Sequence, residues 1–104
     1  MNKTEALLKL AEISTNSRLI VTPNPNGVLD IMARRSLGTE DKVEKIVTDF
    51  CSKVDALRAE CPEACIPDTV SWDIYDDDVV DAVVSYRAAA YRYALNTARS
   101  KYDG

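Results

Sequence analysis

The chain has 104 residues, of which 46% are hydrophobic and 29% charged, a composition that fits one globular domain and excludes both a disordered segment and a membrane protein. Thirteen basic and seventeen acidic residues leave a net charge of −4, which argues against a nucleic-acid-coating role. There is no histidine, so the commonest general base and metal ligand is missing, and three glycines cannot build a glycine-rich phosphate loop.

In chain order, the first expected element is an amphipathic helix over about residues 3–14. Asn2 followed by Glu5 resembles a capping box, and Leu7, Leu10, Ala11 and Ser14 follow helical spacing, with Leu8 and Ile13 widening the apolar side. The start of the chain, Met1-Asn2-Lys3-Thr4-Glu5, has neither the apolar core nor the cleavage site of a signal peptide.

Residues 16–38 admit two readings. Arg18–Thr22 reads as a strand, and Asn26-Gly27 is a hairpin turn signal that would make Val28–Arg34 a second strand. Alternatively, Asn24 caps a helix with Pro25 at its first position and Gly38 as its stop, placing Val28, Ile31, Met32 and Arg35 on one face. Val28-Leu29 and Ile31-Met32-Ala33 break strict alternation, which favours the helix.

The clearest pattern begins at Thr39, a cap followed by Glu40 and Asp41. Val43, Ile46, Val47, Phe50, Val54, Leu57 and Cys61 recur as one helical stripe, with Asp41–Lys45 and Asp49–Lys53 as acid-before-base pairs, until Pro62 ends the helix. Residues 62–75 read as a loop whose Ile66, Val70 and Trp72 fold back as a lid. A last helix runs from about Asp76 to Lys101, with Asp76, Asp77 and Asp78 at its start and Arg92, Arg99 and Lys101 toward its end.

The expected fold is therefore mainly α: one helical domain over residues 1–104, built on a long antiparallel hairpin (39–61 with 76–101). The amino-terminal helix and an irregular middle segment, with a possible short β-hairpin at 18–34, buttress it. On the last helix Asp81, Ser85, Arg92, Asn96 and Arg99 share one narrow polar arc, and most of the remaining circumference is apolar or aromatic. Such a helix needs cover on more than one side, from its own chain or from a second copy. Ala90, Ala94 and Ala98 would let another helix approach closely, with Tyr86 and Tyr93 along one edge and Tyr91 and Tyr102 along the other. Arg87 lies within the apolar arc. Either it is paired internally, with Asp30 as one candidate, or it holds an anionic group of a ligand or a partner's carboxylate.

Other constellations are weaker. Asp73, Asp76, Asp77 and Asp78 lack the EF-hand spacing and read as helix capping. Cys61-Pro-Glu-Ala-Cys65 has neither zinc-knuckle nor redox spacing, and Cys51 sits on an apolar stripe, so no metal or cofactor is expected. An odd cysteine count suits a reducing, cytoplasmic compartment. Arg34-Arg35 is too short a basic run for nucleic acid. The functional expectation is a non-catalytic protein-interaction protein rather than an enzyme, either a self-associating subunit or adaptor of a larger assembly or a small inhibitor that blocks a partner. Its interaction residues would be Tyr86, Arg87, Ala90, Tyr91, Tyr93, Ala94 and Ala98, with no nucleic-acid or membrane partner. The alternative is a sensor or sequestering protein for a small anion, using Arg87 and nearby tyrosines.

Overall fold

The computed structural model describes the backbone of residues 1–103 and the side chains of residues 1–99. The order is α1 (Lys3–Asn16), β1 (Ile20–Asn24), β2 (Val28–Arg34), a 3-10 turn (Arg35–Leu37), α2 (Glu40–Glu60), a second 3-10 turn (Pro62–Ala64), β3 (Thr69–Tyr75) and α3 (Asp77–Asp103). This is a mixed α/β fold. The mainly α bundle expected from the sequence is overturned by a three-stranded sheet of order β1-β2-β3, antiparallel between β1 and β2 and parallel between β2 and β3.

The middle segment is the hairpin, not the helix. Pro25, Asn26 and Gly27 form the loop between Asn24 and Val28, which face each other as the last ladder pair. The Asn26 amide donates to Asn24 Oδ1 at 2.9 Å, the Gly27 amide donates to the Asn24 carbonyl at 3.0 Å, and Gly27 sits at φ 86°. Proline's fixed φ suits both the first position of a helix and the second position of a turn, so Pro25 could not decide between them. The left-handed glycine decides it. Alternation in β2 is real: Leu29, Ile31 and Ala33 are buried, while Val28, Asp30, Met32 and Arg34 face the other side half-buried.

Residues 69–75 are a strand and not part of a loop or lid. Thr69–Tyr75 alternates with a period of two, turning Val70, Trp72 and Ile74 toward the core and Ser71, Asp73 and Tyr75 away. Parallel pairing of β2 and β3 requires a crossover, and α2 supplies it. Its expected stripe holds: Val43, Val47, Phe50, Val54, Leu57 and Cys61 are buried, and Ile46 is half-buried against them. The Thr39 hydroxyl accepts from the Lys42 amide at 3.3 Å, and the Asp49–Lys53 pair closes at 3.1 Å. In α1 the Glu5 amide donates to Asn2 Oδ1 at 2.8 Å, the forward half of the capping box, and the Asn2 side-chain amide, not its backbone N–H, donates to Glu5 Oε1 at 2.8 Å. The buried side of α1 is Ala6, Leu10 and Ile13, whereas Leu7 and Leu8 face solvent, so the expected stripe was displaced by one residue.

Together α1 and α2 cover one face of the sheet and enclose the core. The antiparallel α2/α3 hairpin does not form, because α2 packs on α1 and β3 while α3 meets mainly β2. At about 1.5 Å per residue a helix of this length runs ~40 Å, and the molecule measures 53 × 35 × 23 Å. Its radius of gyration is 15.6 Å, against about 13 Å for a compact chain of this size. The excess is α3 reaching past the sheet.

Phe50 is fully enclosed at the centre of the α2 stripe. Phe50→Ala is expected to cost about 3–5 kcal/mol, read as a lower chemical-denaturation midpoint with unchanged slope.

Candidate functional site: the exposed stripe of α3

The start of α3 is seated on the open face of the sheet by polar contacts. Arg34 donates to Asp81 Oδ1 at 2.7 Å and to the Asp77 carbonyl at 3.3 Å, and Arg35 donates to Asp76 Oδ1 at 2.7 Å. The Ser36 amide donates to Asp77 Oδ1 at 3.1 Å. The Arg34-Arg35 pair, set aside as too short for nucleic acid, is thus the clamp that aims α3. Asp76, Asp77 and Asp78 all serve the helix start: the Asp76 carbonyl accepts from the Val79 and Val80 amides, and Asp78 Oδ1 accepts from Val79.

Beyond that seat α3 has little cover. Val80 is its one buried residue among the described side chains, and Val83 is half-buried. At about 100° per residue, Val80, Val83, Arg87, Ala90, Tyr91, Ala94, Leu95 and Ala98 line one side of the helix. The sheet therefore covers the beginning of a stripe whose continuation is bare. Tyr86, Tyr91 and Tyr93 are 75%, 70% and 75% exposed, and Leu95, Val84 and Val79 are exposed beside them. Ala90, Ala94 and Ala98 are exposed as well. Cover from the chain itself therefore stops at the beginning of the stripe. Tyr102, expected on the rim, lies outside the described side chains.

Arg87 is exposed and lines a cavity of about 330 Å³ with Thr22, Asp30, Met32, Asp73 and Tyr75. It forms no ion pair within 4.0 Å among the described residues. Two carboxylates, Asp30 and Asp73, share its surroundings, so it reads as a cation offered toward the outer face of the sheet rather than as the floor of an anion pocket.

The three thiols are free. Burial pushes the Cys61 thiol up, and so does its hydrogen bond to Glu63 at 3.3 Å; burial likewise raises Cys51, with Asp55 adding to the effect. Both are held as weakly nucleophilic thiols. Among the described residues no group of three acidic or cysteine side chains gathers as a metal site, and no helix is long and apolar enough to cross a membrane. Neither a protein-family model, nor a curated protein, nor a solved structure matches the chain.

The residues that position α3 escaped the sequence because their partners are 41 to 47 positions away. Val79, Val84 and Leu95 join the exposed set, a membership that only the position of the sheet could decide.

Two measurements probe these environments. Under native conditions a thiol reagent should modify Cys65 quickly and Cys51 and Cys61 slowly, read as one fast equivalent by mass spectrometry. Hydrogen bonds from Ser36 hold the Asp77 carboxyl below the ordinary carboxylate range. Its contribution to seating α3 is therefore full above the ordinary value of about 4 and lost as pH falls through the lowered one. Hydrogen exchange at the start of α3 should accelerate only in that acid range, and Asp77→Asn should remove the step.

Proposed function

We propose that the protein is a non-catalytic, self-associating interaction protein in which α3 pairs with α3 of a second copy. The observation that carries this reading is the bare continuation of the stripe: a long helix presents alanines rimmed by exposed tyrosines to water. Surfaces of that kind suit interfaces, since a tyrosine buries a large ring while its hydroxyl keeps a polar partner.

A second copy is favoured over an unrelated partner by charge. The first turns of α3 carry Asp77, Asp78 and Asp81, and its later turns carry Arg87, Arg92 and Arg99. Laid antiparallel about a two-fold axis, the acidic start of each helix meets the basic end of the other, the self-complementarity an isologous interface requires. Area supports the same occupant. Three tyrosines of ~150–250 Å² each, mostly exposed, supply roughly 350–550 Å² per protomer. Leu95, Val84 and the alanines carry that toward the ~800 Å² per partner of a stable interface.

A structural or adaptor subunit follows from this more readily than an inhibitor, because the surface is matched to itself. A reducing, cytoplasmic compartment belongs to the same proposal, supported by three free thiols of which Cys65 is exposed. The reading of Arg87 as a small-anion sensor is less favoured, since two carboxylates share its cavity.

Sedimentation and circular dichroism test the proposal together. The wild type should show a dimer mass that falls on dilution. Ala94→Arg, at an exposed position, should yield a monomer with unchanged helix content and a loss of affinity of at least tenfold, about 1.4 kcal/mol. A wild-type mass that stays monomeric at every concentration overturns the reading.

A further inference from the structure

The turn that ends α1 places an arginine where glycine is usual. Ser17 is the last capping residue, the Arg18 amide donates to the Thr15 carbonyl at 3.1 Å, and the Leu19 amide donates to the Ser14 carbonyl at 3.2 Å. These two bonds define a Schellman motif, with Leu19 buried beneath it. Arg18 occupies the left-handed position at φ 58°. A side chain there costs more than glycine, and such outliers persist where the side chain has a use.

Arg18 stands at the mouth of a cleft of about 910 Å³ between this turn, α2 and the Arg35–Leu37 turn. Ligand clefts commonly span about 300–1,000 Å³. Arg18, Arg34, Lys42, Lys45 and Lys53 line it together with a single acid, Asp49. Asp49 is taken by Lys53 at 3.1 Å and Arg34 by Asp81 at 2.7 Å. Arg18, Lys42 and Lys45 have no ion-pair partner among the described residues, although Asp41 and Glu44 border the outer side of Lys45. Gly38 makes room for the Lys42 stem, since a Cβ at Gly38 would lie 2.7 Å from Lys42 Cδ. Leu37 and Ile46, both half-buried, give the same cleft an apolar wall. In a chain of net charge −4, this concentration of cations beside apolar side chains is a local inversion of the whole.

We propose that this cleft binds a small organic polyphosphate. Arg18, Lys42 and Lys45 meet the phosphate oxygens, the guanidinium as a planar fork and the ammonium groups as point charges. The organic part of the ligand lies against Leu37 and Ile46. Binding uses side chains alone, in place of the glycine-rich loop the sequence lacks, and its three cations lie on the turn after α1 and on α2, not on α3.

Nuclear magnetic resonance titrations with ATP, tripolyphosphate and adenosine test the proposal on the full chain. ATP should shift the amides of Arg18, Leu19, Leu37, Lys42, Lys45 and Ile46, with tripolyphosphate weaker and adenosine weaker still. Arg18→Gly keeps the turn, so its melting temperature should equal or exceed that of the wild type while ATP affinity falls about tenfold, the loss of one charge-assisted contact. The double variant Lys42→Gln/Lys45→Gln should lose at least as much, and it carries the test should Arg18→Gly disturb the turn. Lys3→Gln, an equal change of charge at the start of α1 and away from both surfaces, should leave affinity unchanged. Shifts that fail to gather at the cleft, or equal losses in Arg18→Gly and Lys3→Gln, overturn the proposal.

Discussion

The structure depends on β2 being covered from both sides. Its inner residues Leu29, Ile31 and Ala33 are sealed by α1 and α2, with Phe50 at the centre, and its edges are held by β1 and β3. On its outer face Arg34 holds the beginning of α3, and Asp30 and Met32, both half-buried, share a cavity with Arg87. A strand with cover on both faces has little reason to alternate strictly in sequence. That is why Val28 and Met32, apolar residues on the outer face, made this stretch look helical.

What could be read from the sequence was what depends on near neighbours. The caps at Asn2 and Thr39, the α2 stripe from Val43 to Cys61 and the existence of the last helix all rest on spacings of three or four residues, and the structure contains each of them. The β3 strand was also legible, in the alternation of Val70, Trp72 and Ile74, but the prolines before it drew the segment toward a loop. The helical hairpin failed for a different reason. Two amphipathic helices separated by a short segment pack together only if nothing better covers them, and the sheet gave α2 a larger apolar face than α3 could offer. The apolar stripe of α3 was legible as a list of residues. Its boundary was not, because that is set by where the sheet stops.

The clamp at the start of α3 is polar, and its ion pairs are mostly exposed. Arg35 and Asp76 have side chains 66% and 65% exposed, a setting in which such pairs contribute less than about 1 kcal/mol. Orientation, more than stability, is what several such contacts supply: the Arg34 and Arg35 side chains and the Ser36 amide all converge on the first turns of α3. A helix seated at one end and bare at the other directs its exposed stripe past the sheet. Helical structure over so long an exposed stretch draws on the helix propensity of its own alanines.

Charge along the chain is segregated as well as balanced. The acids of α3 gather at the end seated on the sheet, while cations gather on its free end and, separately, in the cleft between α1 and α2. Arg34 joins the two regions, since it lines the cleft and also holds Asp81. An anion in the cleft would compete with Asp81 for that guanidinium and so loosen one contact of the clamp. By linkage the coupling must run both ways: covering α3 in a way that draws Asp81 from Arg34 would free a fourth cation for the cleft and strengthen anion binding there. Arg34 and Ser36 each line the cleft and each contact the start of α3, so the two surfaces meet at this turn.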